Sequence, residues 1–152
     1  IGWSPDGATM YLADSGTGQV EAFGFEGATG DLSERRTLVR IEQPGVVPDG
    51  LTVDQEGGIW VALWGGAAVE RYGPDGSLLA TVRLPVDQPT SCAFGGPELA
   101  TLFVTTARAG LDEAALDRQP HAGHVFRFDG LGVTGMPCAP YRGRIDSPAN
   151  HG

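Results

Sequence analysis

Cysteine is scarce in this chain. Cys92 and Cys138 are the two that occur among 152 residues. They form no CxxC pair and outline no disulfide framework, which points to a reducing compartment and so to the cytoplasm. Positive charge is short as well, with Lys+Arg at 10 against Asp+Glu at 19 and a formal net charge of −9. A surface of that sign argues against nucleic acid or an anionic membrane as partner, because both repel it. No apolar run reaches the about 18 residues that a membrane span requires, and no signal-like segment opens the chain. The first residue is Ile1 rather than Met, so this second absence excludes little. Histidine is limited to His121, His124 and His151, without metal-like spacing. A Gly-rich phosphate loop, a Gly-x-Ser-x-Gly elbow and a basic nucleic-acid patch are also missing.

Glycine and proline, by contrast, are plentiful: Gly 24 and Pro 11, with 41% hydrophobic and 19% charged residues. Many short segments broken by turns give that profile, as in an all-β protein. The apolar content is too high for disorder, and the length suits one domain. The chain turns on Pro48-Asp49-Gly50-Leu51-Thr52-Val53, an acidic turn from Asp54 to Gly58, and Ile59 to Leu63. Asp49 is placed just ahead of a strand at Leu51-Thr52-Val53, where a carboxylate can project from a strand end into a ligand site.

The remaining segments echo this plan. Before it, Ser4-Pro5-Asp6-Gly7 forms a turn, followed by strands at 10–14, 19–25 and 35–41. After it, strands are expected at 68–72, 78–84, 91–94, 101–106 and 124–129, with helical composition over 111–119. Gly7, Gly57 and Gly95-Gly96 occupy corresponding turns, and Tyr11, Trp60 and Phe103 corresponding strands. Those aromatic positions are 49 and 43 residues apart. A four-stranded unit recurring every 40 to 50 or so residues marks a β-propeller blade. About three blades fit this length, too few to close a ring. Residues 1–143 are read as the partial propeller and residues 144–152 as a polar tail. Trp3, Tyr11, Trp60 and Phe103 are expected in blade cores, and Cys92 as a small buried hydrophobe.

Several motifs in order resemble the gluconolactonase/regucalcin (senescence marker protein) family. They are Trp3-Ser4-Pro5-Asp6-Gly7, Tyr11-Leu12-Ala13-Asp14-Ser15, Arg35-Arg36, Pro48-Asp49-Gly50-Leu51 and Trp60-Val61-Ala62. Leu84-Pro85-Val86, Pro89-Thr90-Ser91-Cys92-Ala93-Phe94-Gly95-Gly96, Gln119-Pro120 and Gly130-Leu131-Gly132-Val133 extend the likeness. The resemblance implies a six-bladed propeller that binds one divalent metal ion (Ca, Zn, Mn or Fe) and hydrolyses a sugar lactone. It further implies a chain corresponding to the C-terminal half of the family. Asp49 matches the aspartate of the family's Pro-Asp-Gly, a metal ligand and general base. The glutamate and asparagine ligands would fall before Ile1. A calcium-binding regulatory propeller without turnover is the alternative within the same lineage, and a protein-binding propeller is a third reading.

Lactone hydrolysis needs a polarised carbonyl and an activated water, and a divalent ion with a carboxylate beside it can supply both. The bland reading of Asp49 is a turn cap, since Asp-Gly is common turn chemistry. Asp6, Asp54 and Asp75 read as turn formers, and Asp14-Ser15 as a strand-end turn in preference to a lining of the channel. Thr90 stands four residues before Phe94, as Asp49 stands four before Val53, so Thr90 is a candidate substrate contact. Trp64, with Gly65-Gly66, either flanks a sugar ring or packs a loop. The family's basic residue near Ala68 has no counterpart here. The sequence sets no oligomeric state.

Overall fold

Residues 1–138 are described by a computed structural model, which resolves the alternating segments into strands and one short helix. The first sheet holds β1 (Gly2–Trp3), β2 (Thr9–Asp14), β3 (Gln19–Phe25) and β4 (Leu32–Arg40), in that order. The second holds β5 (Val47–Val53), β6 (Ile59–Trp64), β7 (Ala68–Tyr72) and β8 (Leu78–Arg83). The third holds β9 (Pro89–Gly95), β10 (Thr101–Thr106) and β11 (Val125–Phe128), with α1 (Glu113–Arg118) between the last two. Every pairing is antiparallel, so the chain is a succession of meanders, as the turn chemistry requires. The third unit has three strands among the described residues, not the four expected of a full blade. The boundary at residue 143 and the tail at 144–152 lie outside the described residues.

β6 explains how the sheets stack. Ile59, Val61 and Leu63 enter one core with Tyr11, Val20 and Val53; Trp60 and Ala62 enter another with Val69, Val86, Cys92, Leu102 and Val104. A strand covered on both faces reads as a continuous apolar run rather than an alternating one. The first strands of the three sheets therefore lie side by side, with Gly2 against Leu51 and Gly50 against Ser91. Tyr11 and Trp60 are buried as expected. Trp3 and Phe103 are not core: they are 37% and 38% exposed. Trp3 meets Phe25 edge-on, and Phe103 alternates with Leu102 and Val104, so it points away from the second core.

Several strands begin earlier than the sequence suggests, β4 at Leu32 among them, and at β5 and β9 the difference bears on the site. β5 starts at Val47, so Asp49 lies inside it and not ahead of it. Val47 and Pro48 pair with Trp64 and Leu63, and pairing resumes with Leu51 opposite Val61. Asp49 and Gly50 thus oppose a single residue, which is a β-bulge, and a bulge is where a strand tolerates proline. β9 repeats the device. Pro89 pairs with Thr106 and Ser91 with Thr105, leaving Thr90 as the extra residue.

The turn at Asp54 combines local chemistry with burial. Asp54 Oδ1 accepts from the Glu56 and Gly58 N–H groups at 3.0 and 2.8 Å. Its Oδ2 accepts from Trp60 Nε1 at 2.8 Å and Arg71 Nε at 2.7 Å. Asp6 and Asp75 are turn formers too, each accepting from a nearby serine hydroxyl at 2.6 Å. In α1, Asp112 caps the N-terminus through Ala115 N–H. Gln119, at its other end, is buried and accepts from Asp87 N–H at 2.6 Å, which pins the helical excursion to the loop before β9. Among the described residues no helix is long and apolar enough to cross a membrane.

Candidate functional site

Asp49 and Thr90 lie toward one end of two adjacent inner strands, β5 and β9, that carry the same irregularity. Each follows a fully buried proline, Pro48 or Pro89, that seats the start of its strand in the core. The extra residue in each bulge is re-aimed relative to the regular alternation. Gly50 makes the approach possible: a Cβ there would lie 2.3 Å from Ser91 Oγ. The four-residue spacing that pairs Thr90 with Asp49 in the sequence is therefore a structural equivalence of the two bulges.

Asp49 is half-buried. Burial pushes its carboxyl above the ordinary value, and the Gly50 N–H offsets this only in part. Among the described residues no ion pair involves it. Its charge is thus left without a protein cation in a partly desolvated position. Thr90 is half-buried, with its hydroxyl 2.7 Å from that of Thr105. Thr105 in turn lies 3.4 Å from the Ser91 carbonyl. Trp64 ends β6 opposite Val47, at the same end of the second sheet. It is half-buried, and no hydrogen bond among the described residues joins it to Asp49 or Thr90. Gly65 beside it fits tightly, since a Cβ there would lie 2.2 Å from Gly45 O. Ala68 is buried in β7.

Ser15 is the contact that sequence reasoning left as a plain turn residue. Its Oγ donates to the Pro48 carbonyl at 2.7 Å, from the β2–β3 turn of the neighbouring sheet. The turn itself is legible, with Asp14 Oδ1 accepting from Gly16 and Thr17 N–H. The partner 33 residues away is not.

Other candidates fall away. His121 and His124 are exposed with ring centroids 5.3 Å apart, and among the described residues no group of three metal-ligating side chains assembles. His151 lies outside the described residues. Cys92 is core: burial pushes its thiol up to about 12, and Sγ donates to the Trp60 carbonyl. A cavity of about 310 Å³ at the β9–β10 turn and one of about 180 Å³ beside Trp3 and Leu51 do not include Asp49. Among the described residues Asp49 is thus a hard oxygen donor of the type a divalent ion takes, on the strand next to the one that carries Thr90. As a donor type, that carboxylate fits calcium or manganese, and it would be one ligand of the several such ions take.

A family model described as the SMP-30/gluconolactonase/LRE-like region matches residues 1–108. Regucalcin from Bos taurus is 44% identical over 144 residues, 94% of this chain and 48% of that protein. Among solved structures, a calcium-binding protein, regucalcin from Agrobacterium tumefaciens, is 35% identical with a TM-score of 0.83, over 90% of this chain and 46% of that one. A gluconolactonase from Xanthomonas campestris is 30% identical with a TM-score of 0.58, over 68% and 33%. The chain spans about half the length of the bovine relative.

Proposed function

The chain belongs to the SMP-30/gluconolactonase/LRE-like family, and from that premise we propose that it supplies about three blades of a six-bladed propeller that hydrolyses a sugar lactone with a divalent metal ion. The observation that carries the reading is Asp49: a half-buried carboxylate in a strand bulge, without an ion pair among the described residues, and with its pKa raised by burial.

A bound ion would polarise the lactone carbonyl and acidify a water. Asp49 would hold the ion and accept the proton of the attacking water. The water oxygen bonds to the carbonyl carbon, the ring C–O bond breaks, and the proton passes to the departing ring oxygen, giving the hydroxy acid. A raised pKa suits a base that must return its proton. Thr90 offers its hydroxyl to the sugar, and Trp64 stands at the rim. The other ligands come from the blades this chain does not contain, so the isolated chain is inactive and binds metal weakly. The sparse, unpaired cysteines favour the cytoplasm as its location.

The regulatory reading is favoured by one finding, the likeness to a protein described as calcium-binding regucalcin. The experiment that separates the two is acid release from a panel of aldonolactones by the intact ring, with and without chelator. Metal-dependent release lost in Asp49→Ala supports the lactonase. Calcium binding without release from any lactone supports the regulatory protein. Release that is indifferent to both chelator and Asp49→Ala refutes the assignment of Asp49.

A further inference from the structure

We propose that Ser15 is a positioning residue for Asp49, acting through the peptide that joins Pro48 to Asp49. This rests on the reading of Asp49 as a metal ligand. Ser15 Oγ donates to the Pro48 carbonyl at 2.7 Å. That carbonyl belongs to the same planar peptide as the Asp49 N–H, so fixing its direction fixes the plane from which the Asp49 side chain departs. In a regular ladder the flanking pairs would do this. Here the ladder is interrupted between Pro48 and Leu51, and an outside contact supplies the missing restraint.

The donor is itself well anchored. Ser15 follows Asp14, whose Oδ1 accepts from Gly16 N–H at 2.9 Å and Thr17 N–H at 3.3 Å. This closes the turn that joins β2 to β3, two strands paired along six registered positions from Thr9–Gly24 to Asp14–Gln19. On the other side, Gly50 abuts Ser91 of β9. The bulge is thus held by a hydrogen bond from the first sheet and by close packing from the third. Packing limits how far the bulge can move, and the hydrogen bond sets its orientation. Hydroxyl donors that orient a ligand-bearing peptide change metal affinity without touching the ion.

Calcium and manganese ions are titrated calorimetrically into the intact ring carrying Ser15→Ala, Ser15→Thr or Asp49→Asn. Ser15→Ala should bind about tenfold more weakly, and Ser15→Thr, which keeps the hydroxyl, should bind as wild type. Asp49→Asn should lose the site. Wild-type affinity in Ser15→Ala with binding lost in Asp49→Asn overturns the inference alone; wild-type affinity in both overturns the reading of Asp49 as a ligand. A lower melting temperature of metal-free Ser15→Ala with unchanged affinity marks a merely architectural serine and also overturns it. Should Ser15→Ala fail to fold, Ser15→Cys replaces the O–H with a weak S–H donor. Weakened binding in that variant supports the inference, and wild-type binding refutes it.

Discussion

Replacing Gly50 with alanine tests how the bulge is built. An ideal Cβ at Gly50 would lie 2.3 Å from Ser91 Oγ, 2.5 Å from Ser91 Cβ and 2.7 Å from Ser91 Cα. The last contact is backbone, so turning the serine side chain away does not relieve it, and β5 and β9 must separate. Overpacking of this kind costs about 1–3 kcal/mol. For a domain of this size that lowers Tm by roughly 2–12 °C. The site should suffer more than the fold, because Asp49 adjoins the point of separation and a misplacement of about 1 Å can cost on the order of a hundredfold in rate. Two other glycines calibrate the result. A Cβ at Gly2 would meet Leu51 Cδ1 at 2.8 Å, the free end of a side chain that can move aside. A Cβ at Gly7 would meet nothing within 4 Å, leaving only the strain of φ +71°. That strain costs about 1 kcal/mol, without displacing a neighbour. Thermal melts of Gly50→Ala, Gly2→Ala and Gly7→Ala in the intact ring, each with a calcium titration, should isolate Gly50→Ala as the variant that loses both stability and metal affinity. If Gly50→Ala melts with Gly2→Ala and binds metal like wild type, the close approach of β5 to β9 does not hold Asp49, and the account of the bulge fails.

Two further predictions concern the core. Arg71→Met should cost about 3–5 kcal/mol near neutral pH, since it leaves the wholly buried Asp54 carboxylate without its countercharge. Burial raises the Asp54 pKa, but the hydrogen bonds from Arg71, Trp60 and Gly58 outweigh it and hold the carboxyl below its ordinary value. A lowered folded-state pKa stabilises above the unfolded-state value and stops doing so as pH falls through the folded one. The cost of Arg71→Met should therefore shrink below about pH 4, and urea unfolding that shows an equal cost at both ends would refute the ionic account. Glu56→Gln, at a side chain 64% exposed, should cost less than about 1 kcal/mol in the same assay. Mass spectrometry after mild alkylation should find Cys138 modified in the native protein and Cys92 only after unfolding, because Cys138 is exposed while burial suppresses the Cys92 thiolate. Native modification of Cys92 would contradict its place in the core.

What the sequence makes legible is what local chemistry decides. Turn residues and alternation locate nearly every strand, since Asp6, Asp54 and Asp75 each bond to groups within four residues in their turns. The first residues of β5 and β9 escape because proline disfavours a regular strand, yet Pro48 and Pro89 stand beside bulges, where strands tolerate it. Trp3 and Phe103 are misread as core for a related reason: alternation fixes which face a residue takes, whereas burial depends on what covers that face. At the site, spacing equates Asp49 with Thr90 because the same bulge recurs in two successive repeats. The Ser15 contact stays hidden because it joins two repeats through a turn, where no periodicity runs.

Asp49 and Asp54 are five positions apart, and each has a glycine close behind it, so local composition treats them alike. Their surroundings do not. Asp54 is wholly buried and accepts four hydrogen bonds, one from a guanidinium, which hold its pKa down despite burial. Its charge is already compensated inside the protein. Asp49 is less buried yet shifted the other way, because desolvation meets no cation there and little hydrogen bonding. A divalent ion placed at Asp49 would gain the attraction of a carboxylate that has lost part of its water. At Asp54 the same ion would first have to displace Arg71. Of the two, only Asp49 has something to gain from a metal ion, and the bulge that exposes it is the feature that makes the difference.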